Sequence, residues 1–272
     1  MAGKPETTRA AWQVLLEPLR AEPARTAILT DFDGTLAPIV EHTEDASLPD
    51  GARELLVRLT ERYALVGAIS GRRTADVRTL IGLDTIAYAG NHGLELMMPG
   101  DREVSPDPSL AGREGDAAEF VATVEAGRLD AAGLRIEDKG PIQAVHWRGV
   151  ADEAAAEAAA RAIGVDAGRA GLEPRWGRKV LELRPVGGGG KDAAVASLLA
   201  GDGLDRAVYA GDDRTDVDAF RRLGELREAG ELVAAVRVGV LSAEGPPEIA
   251  EEADVTVEDP AGWLEMLAWL AE

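Results

Sequence analysis

Two aspartates one residue apart, Asp31 and Asp33, stand in the run Thr30-Asp31-Phe32-Asp33-Gly34-Thr35-Leu36, directly after the apolar stretch Ala27-Ile28-Leu29. Ser70-Gly71-Arg72, Lys191 and Gly211-Asp212-Asp213-Arg214-Thr215-Asp216 follow, each after or nearly after an apolar segment. An aspartate is ionised at neutral pH, so it can attack phosphorus without a base and give an acyl phosphate that water then cleaves. A sugar alkoxide leaves poorly without a proton; a second carboxylic acid such as Asp33 can give one and later take one from water. The group in transit carries spread negative charge and needs cations and donors around it. Lys191, the Ser70 hydroxyl and backbone N–H groups provide them. Carboxylates gathered in one crevice repel one another unless a cation offsets them. The candidate ligands are all oxygens, the chain has no cysteine, and no histidine recurs at metal spacing, so a hard cation is implied and Mg²⁺ fits best. The pattern predicts metal-assisted phosphoryl transfer.

Taken singly, each motif has a plainer reading. Asp-x-Asp-Gly and Ser-Gly mark turns, Gly-Asp-Asp can cap a helix, and Lys191 can be a solvated lysine behind a flexible glycine run, 187–190. Their succession after separate apolar segments favours one site.

The elements that must position these residues alternate. The spacing predicts a short amphipathic helix over Ala11–Leu19 and a strand over Ala27–Thr30. A helix over Pro49–Arg62, with Asp50 as N-cap, precedes a strand over Tyr63–Ile69, a helix over Thr74–Ile81 and a strand over Thr85–Ala89. Strand-helix-strand order argues for a doubly wound parallel sheet, whose ligands bind beyond the carboxyl ends of the strands. The middle differs. A Pro/Gly/Asp-rich loop over about 100–115 leads to a helix over Asp116–Leu129 and strands over Leu134–Asp138 and Gln143–Arg148. A helix over Ala151–Ile163 and a strand over Lys179–Arg184 follow. Hairpin strands with helices on one side suggest a smaller inserted α+β domain. Alternation resumes with a helix over Asp192–Leu199, a strand over Arg206–Ala210, a helix over Asp216–Leu226 and a strand over Leu232–Val240. Val255–Val257 and Gly262–Leu270 read as a last strand and a closing helix.

Composition bounds the rest. The chain has 272 residues, 46% of them apolar, which suits a substantial core in one large or two modest domains. Its net charge of −20 repels nucleic acid and anionic membranes but admits an anionic substrate where cations are placed locally. No apolar run is long enough to span a bilayer, and the start lacks the layout of a signal peptide, so a cytoplasmic location is the expectation.

The catalytic motifs, in this order, resemble the haloacid dehalogenase superfamily of phosphohydrolases. That resemblance implies Asp31 as nucleophile, Asp33 as general acid and base, and Ser70 and Lys191 as holders of the phosphate. Asp31, the Asp33 backbone carbonyl and Asp212 would hold Mg²⁺, with Asp216 in support. Asn91-His92-Gly93-Leu94-Glu95, Glu137-Asp138-Lys139, His146-Trp147-Arg148 and Gly177-Arg178-Lys179-Val180-Leu181-Glu182-Leu183-Arg184-Pro185 are similar to the trehalose-6-phosphate phosphatases, over about residues 25–225. The implied architecture is an HAD-like core, residues 1–99 and 186–272, with an inserted α+β cap at 100–185 that closes over it. The implied substrate is a sugar phosphate, trehalose 6-phosphate. A synthase partner stays open.

Spacing gives the cap residues a geometry of their own. Glu137 and Lys139 share a strand face, as do His146 and Arg148, and Val180, Glu182 and Arg184 alternate against Leu181 and Leu183. A charged face can be merely solvated; the resemblance makes Glu137, Lys139, His146, Arg148, Lys179 and Glu182 sugar contacts. Gly71 and Arg72 belong on the phosphate side, or Arg72 simply caps a sheet edge. His92 is a substrate contact or an ordinary loop histidine, and Trp147 packs the cap. Val217 stands where that family usually has Glu, Asp192 where it often has Gly, and Trp147 where Tyr is usual. Competing readings are a phosphatase for another glycosyl phosphate (glucosylglycerate, sucrose or a pseudo-disaccharide), a non-catalytic sugar-phosphate sensor, and a phosphotransferase on the same fold.

Overall fold

Thr26–Thr30 (β1) is buried along its whole length, as a strand covered by helices on both faces must be. This computed structural model describes residues 8–40, 45–124, 126–177, 179–187, 189–201, 203–242 and 245–272. Glu125 of the expected helix over 116–129, Arg178 of the Gly177–Pro185 motif and Gly188 of the glycine run lie outside them. The chain divides into two units, Met1–Ser105 with Gly189–Glu272, and Pro106–Gly188.

In the first unit, β1 is joined by β2 (Leu65–Ile69), β3 (Ala87–Gly90), β4 (Glu95–Met97), β5 (Ser105–Pro106), β10 (Arg206–Gly211), β11 (Ala234–Val240) and β12 (Val255–Val257). The sheet runs β12-β11-β10-β1-β2-β3-β4-β5. From β12 to β3 neighbours are parallel, and β4 turns back against β3. Successive side chains point to opposite faces. Ile28, Val208 and Val236 pack with Trp12 and Leu16 of α1 (Arg9–Arg20), Leu56 of α2 (Ala52–Arg62), Val77 of α3 (Thr74–Ile81) and Trp263 of α10 (Pro260–Leu270). Leu29 and Tyr209 pack on the other face with Val195 of α7 (Lys191–Leu199), Phe220 of α8 (Arg214–Glu228) and Ile249 of α9 (Pro247–Glu252). This is the doubly wound α/β arrangement that the alternation predicts.

The second unit holds a four-stranded antiparallel sheet made of β6 (Arg135–Asp138), β7 (Gln143–His146), β8 (Leu172–Gly177) and β9 (Val180–Pro185), in the order β6-β7-β9-β8. Val145, Leu181 and Leu183 pack with Ala117 of α4 (Asp116–Thr123) and with Ala156, Ala160 and Ile163 of α6 (Glu153–Arg169). Between these helices lies the short α5 (Ala126–Ala131). Trp147 joins this cluster at 4% exposure.

Some elements depart from the expectation. α2 starts at Ala52 and is not capped by Asp50; Gly51 takes the cap position at φ 77°, a conformation that favours glycine. The helix expected over 116–129 divides because Val124 turns extended. β4, β8 and α9 were not expected. β8 carries Pro174, which a strand tolerates because β8 lies at the sheet edge. Lys179 stands in the β8–β9 turn at φ 62°, not in a strand, and Arg148 lies past the end of β7. Among the described residues no helix is long and apolar enough to cross a membrane.

Candidate active site

Asp31 is the first residue beyond β1, and its backbone N–H still donates to the Ala210 carbonyl at 2.8 Å, continuing the ladder. Trp263 Nε1 donates to Thr30 Oγ1, which in turn donates to the Asp31 carbonyl, so α10 braces this strand end. The chain then turns tightly: the Gly34 N–H donates to the Ala37 carbonyl, and Gly34 sits at φ 85°. A Cβ on Gly34 would lie 2.1 Å from Asp212 Oδ2, so this glycine makes room for the carboxylate that β10 delivers. Thr35 Oγ1 donates to Asp212 Oδ1 at 3.1 Å.

Lys191 opens α7 at 2% exposure, with Nζ 2.8 Å from Asp31 Oδ1, 2.7 Å from Asp216 Oδ1 and 4.0 Å from Asp213 Oδ1. Asp216 is fully buried. Its Oδ2 accepts the Asp212 and Asp213 N–H groups at 3.0 Å each, and its Oδ1 accepts Lys191 Nζ and the Tyr209 hydroxyl. A Cβ on Gly211 would come within 2.2 Å of Asp216 Cγ, which explains a glycine at the end of β10. Asp213 caps α8 by accepting from the Thr215 and Asp216 N–H groups.

One lysine thus serves the buried Asp31, Asp212 and Asp216, with the half-exposed Asp213 beside them. Burial depresses the Lys191 ammonium, but Asp216, Asp31 and Asp213 together outweigh it and hold the ammonium charged. Burial and the neighbouring carboxylates push Asp31 well up despite Lys191, and push Asp212 up to about 7. The site is short of positive charge. Oxygens of Asp31, Asp212 and Asp216 lie within 4.8 Å of one another, all buried. This all-oxygen donor set suits a hard divalent cation. Both Asp216 oxygens already accept protein donors, which leaves Asp31 and Asp212 as the carboxylates with open lone pairs.

Beside this cluster, Arg72 clamps Asp33 through Nε at 2.7 Å and Nη2 at 2.8 Å. Ser70 is fully buried; its Oγ accepts the Arg72 N–H and its carbonyl accepts the His92 N–H. Asn91 and His92 both take positive φ, 50° and 57°, and the Asn91 N–H donates to the Arg72 carbonyl. The two loops therefore interlock, with the His92 ring against Gly71. A cavity of about 290 Å³ is lined by Asp31, Asp33, Ile39, Val40, Gly71, Arg72, His92, Lys191 and Asp213. Ser70 is not among the lining residues.

In the second unit one sheet face is polar. Register places Glu137, Ala144 and Glu182 in one row and Arg135, His146 and Val180 in the next. His146 Nε2 lies 2.8 Å from Glu137 Oε2, Lys139 Nζ donates to Glu182 at 3.1 Å, and Arg184 also donates to Glu182. Lys179 pairs with Glu153 at the start of α6, away from this network, and Arg148 is exposed.

Sequence reasoning missed Tyr209, Thr35, Ile39 and Val40. Tyr209 had a signal, since a buried phenol needs a hydrogen-bond partner. Val217 is 3% exposed and packs in the apolar cluster with Phe220.

Known proteins are similar to this chain in sequence and in fold. The trehalose-phosphatase family model matches residues 29–258. The chain is 40% identical over 205 residues to an uncharacterized glycosyl hydrolase of Mycobacterium tuberculosis, covering 72% of this chain but only 15% of that relative. It is 31% identical over 273 residues to a trehalose 6-phosphate phosphatase of Zea mays, covering 94% of this chain and 73% of that one. Its structure matches the C-terminal domain of the C. albicans trehalose-6-phosphate phosphatase with a TM-score of 0.75 at 23% identity, covering 98% of each chain, a likeness of fold.

Proposed function

This chain belongs to the trehalose-phosphatase family, a family of phosphoric monoester hydrolases, and from that premise we propose that it hydrolyses trehalose 6-phosphate to trehalose and phosphate. The observation that carries this reading is the buried Asp31–Lys191–Asp216 cluster at the carboxyl ends of β1 and β10, opening onto a cavity that Asp33 also lines. The Asp31 carboxylate attacks phosphorus, the bond from phosphorus to the ester oxygen breaks, and Asp33 protonates the departing alkoxide. Asp33 then takes a proton from water as that water attacks the Asp31 acyl phosphate, which frees phosphate and restores the carboxylate. Lys191 neutralises the nucleophile's surroundings and donates to the phosphoryl oxygens. The Asp31 and Asp212 carboxylates and the Asp33 carbonyl would hold Mg²⁺, with Asp216 in support; the ion supplies positive charge where the transferring group carries negative charge. Arg72, which clamps Asp33 and lines the same cavity, stands on the phosphate side of the site. In the second unit, Glu137, Lys139, His146 and Glu182 on the polar sheet face carry recognition of sugar hydroxyls, since paired carboxylates and cations offer both acceptors and donors; Lys179, paired with Glu153, and Arg148, past the end of β7, fall outside that face.

The test is phosphate release, with and without Mg²⁺, by the wild type and Asp31→Asn. The panel holds trehalose 6-phosphate, sucrose 6-phosphate, glucose 6-phosphate, glucosyl-3-phosphoglycerate and an aryl phosphate. Preference for trehalose 6-phosphate that is lost without Mg²⁺ and in Asp31→Asn supports the proposal. Release from the aryl phosphate alone keeps the chemistry and rejects the substrate, and silence on every ester rejects both.

A further inference from the structure

We propose that Tyr209 is a positioning residue, whose hydroxyl fixes Asp216 and through it holds Lys191 against the nucleophile. The role deepens the phosphatase reading and rests on it. Tyr209 lies on β10, two residues before Gly211, and is fully buried. Its ring packs edge-on against Phe220, centroids 6.0 Å apart at 75°, so the apolar part of the site would accept a phenylalanine equally well. The hydroxyl is the part that packing does not require. It donates to Asp216 Oδ1, the same oxygen that accepts Lys191 Nζ at 2.7 Å.

A carboxylate offers about four acceptor sites. Asp216 fills them with Tyr209 Oη, Lys191 Nζ and the backbone N–H groups of Asp212 and Asp213. A carboxylate held on both oxygens cannot rotate, and Gly211 presses close behind it. Lys191 has three N–H donors; one goes to Asp216 and one to Asp31 at 2.8 Å, and Lys191 also lines the cavity. The third donor is then available to a phosphoryl oxygen. Without the Tyr209 hydroxyl, Asp216 Oδ1 is left with an unfilled site in a buried place, where an unmet acceptor is costly. The nearest donor able to fill it is Lys191, which would be drawn from Asp31.

The test uses Tyr209→Phe, which keeps the ring. With Mg²⁺ and the ester that the wild type hydrolyses best, kcat should fall about tenfold while KM stays within about twofold, as for an interaction realised in the transition state. Phe220→Leu is the packing control; it should lower the urea midpoint yet keep kcat per folded molecule. A Tyr209→Phe enzyme with unchanged kcat, or one that merely follows the control, overturns the proposal. A second readout needs no turnover. In metal-free protein carrying ¹⁵N at the lysine side chains, Tyr209→Phe should shift the Lys191 ammonium signal and leave those of Lys139 and Lys179 in place. An unmoved Lys191 signal rejects the role of Tyr209 whatever the ester panel shows. A shifted signal with no hydrolysis rejects the phosphatase reading and keeps the coupling.

Discussion

Single residues set the tolerances of this site. Gly34 has a positive φ and no room for a Cβ beside Asp212, two independent reasons for glycine. Gly34→Ala should cost at least about 1 kcal/mol in urea unfolding from the backbone conformation alone. It should also lower kcat on the order of a hundredfold, because displaced catalytic groups are penalised steeply. Unchanged kcat in a folded variant would show that the Asp212 carboxylate need not sit where the structure has it. Asp31, Asp212 and Asp216 were visible in the sequence because each stands in a short motif after an apolar run, and Lys191 because of its place behind the glycine run in the order of motifs; the structure brings them together. Tyr209 was not, since its place in an apolar strand looks like core and its partner lies in the first turn of the next helix, α8. Pattern alone gave Lys179 and Arg148 strand positions. Lys179 instead occupies a turn, with positive φ, and Arg148 follows the last paired residue of β7.

Elements hold the loops that carry these residues. α3 has no cap from its own Arg73; the Glu95 carboxylate, delivered by β4, accepts the Thr74 N–H at 2.9 Å instead. Helix N-termini favour such an anion. Glu95→Ala should lower stability by about 1 kcal/mol, read as a shift in urea midpoint, and Glu95→Gln by less because it keeps an acceptor. Equal and negligible shifts in both would mean that water replaces the carboxylate at no cost. β4 escaped detection for a related reason: it has three residues, too few to show a period, and its first is charged. β8 was hidden by Pro174 and by charged neighbours that an edge strand can carry. The parallel strands β1, β2 and β10 were legible because burial on both faces leaves them almost wholly apolar.

Acid stability belongs to the whole molecule. Arg237 on β11 donates to Asp254 through its backbone N–H at 2.9 Å, Nε at 3.0 Å and Nη2 at 2.7 Å, tying β11 to the start of the edge strand β12. Burial pulls the Asp254 carboxyl up, but these bonds outweigh it and hold it below its ordinary 3.8. The unfolded chain therefore takes up this proton first as pH falls. The stabilisation is complete above pH 3.8 and drains away below it, through the lower pKa of the folded state. Asp254→Asn should flatten that part of the stability profile measured by chemical unfolding from pH 6 down to pH 2.5; an unaltered slope would assign the acid limb to other carboxylates. Among the described residues, each apolar cluster draws its members from one unit alone. The order of synthesis then matters. The stretch Pro106–Gly188 is continuous, so on the ribosome it can close its sheet as soon as β9 emerges. β1 must wait with one edge bare until β10 is translated, because Thr26 to Thr30 pair with Arg206 to Ala210. A nascent chain stalled between these points would expose a buried apolar strand edge, and there a chaperone has the most to protect.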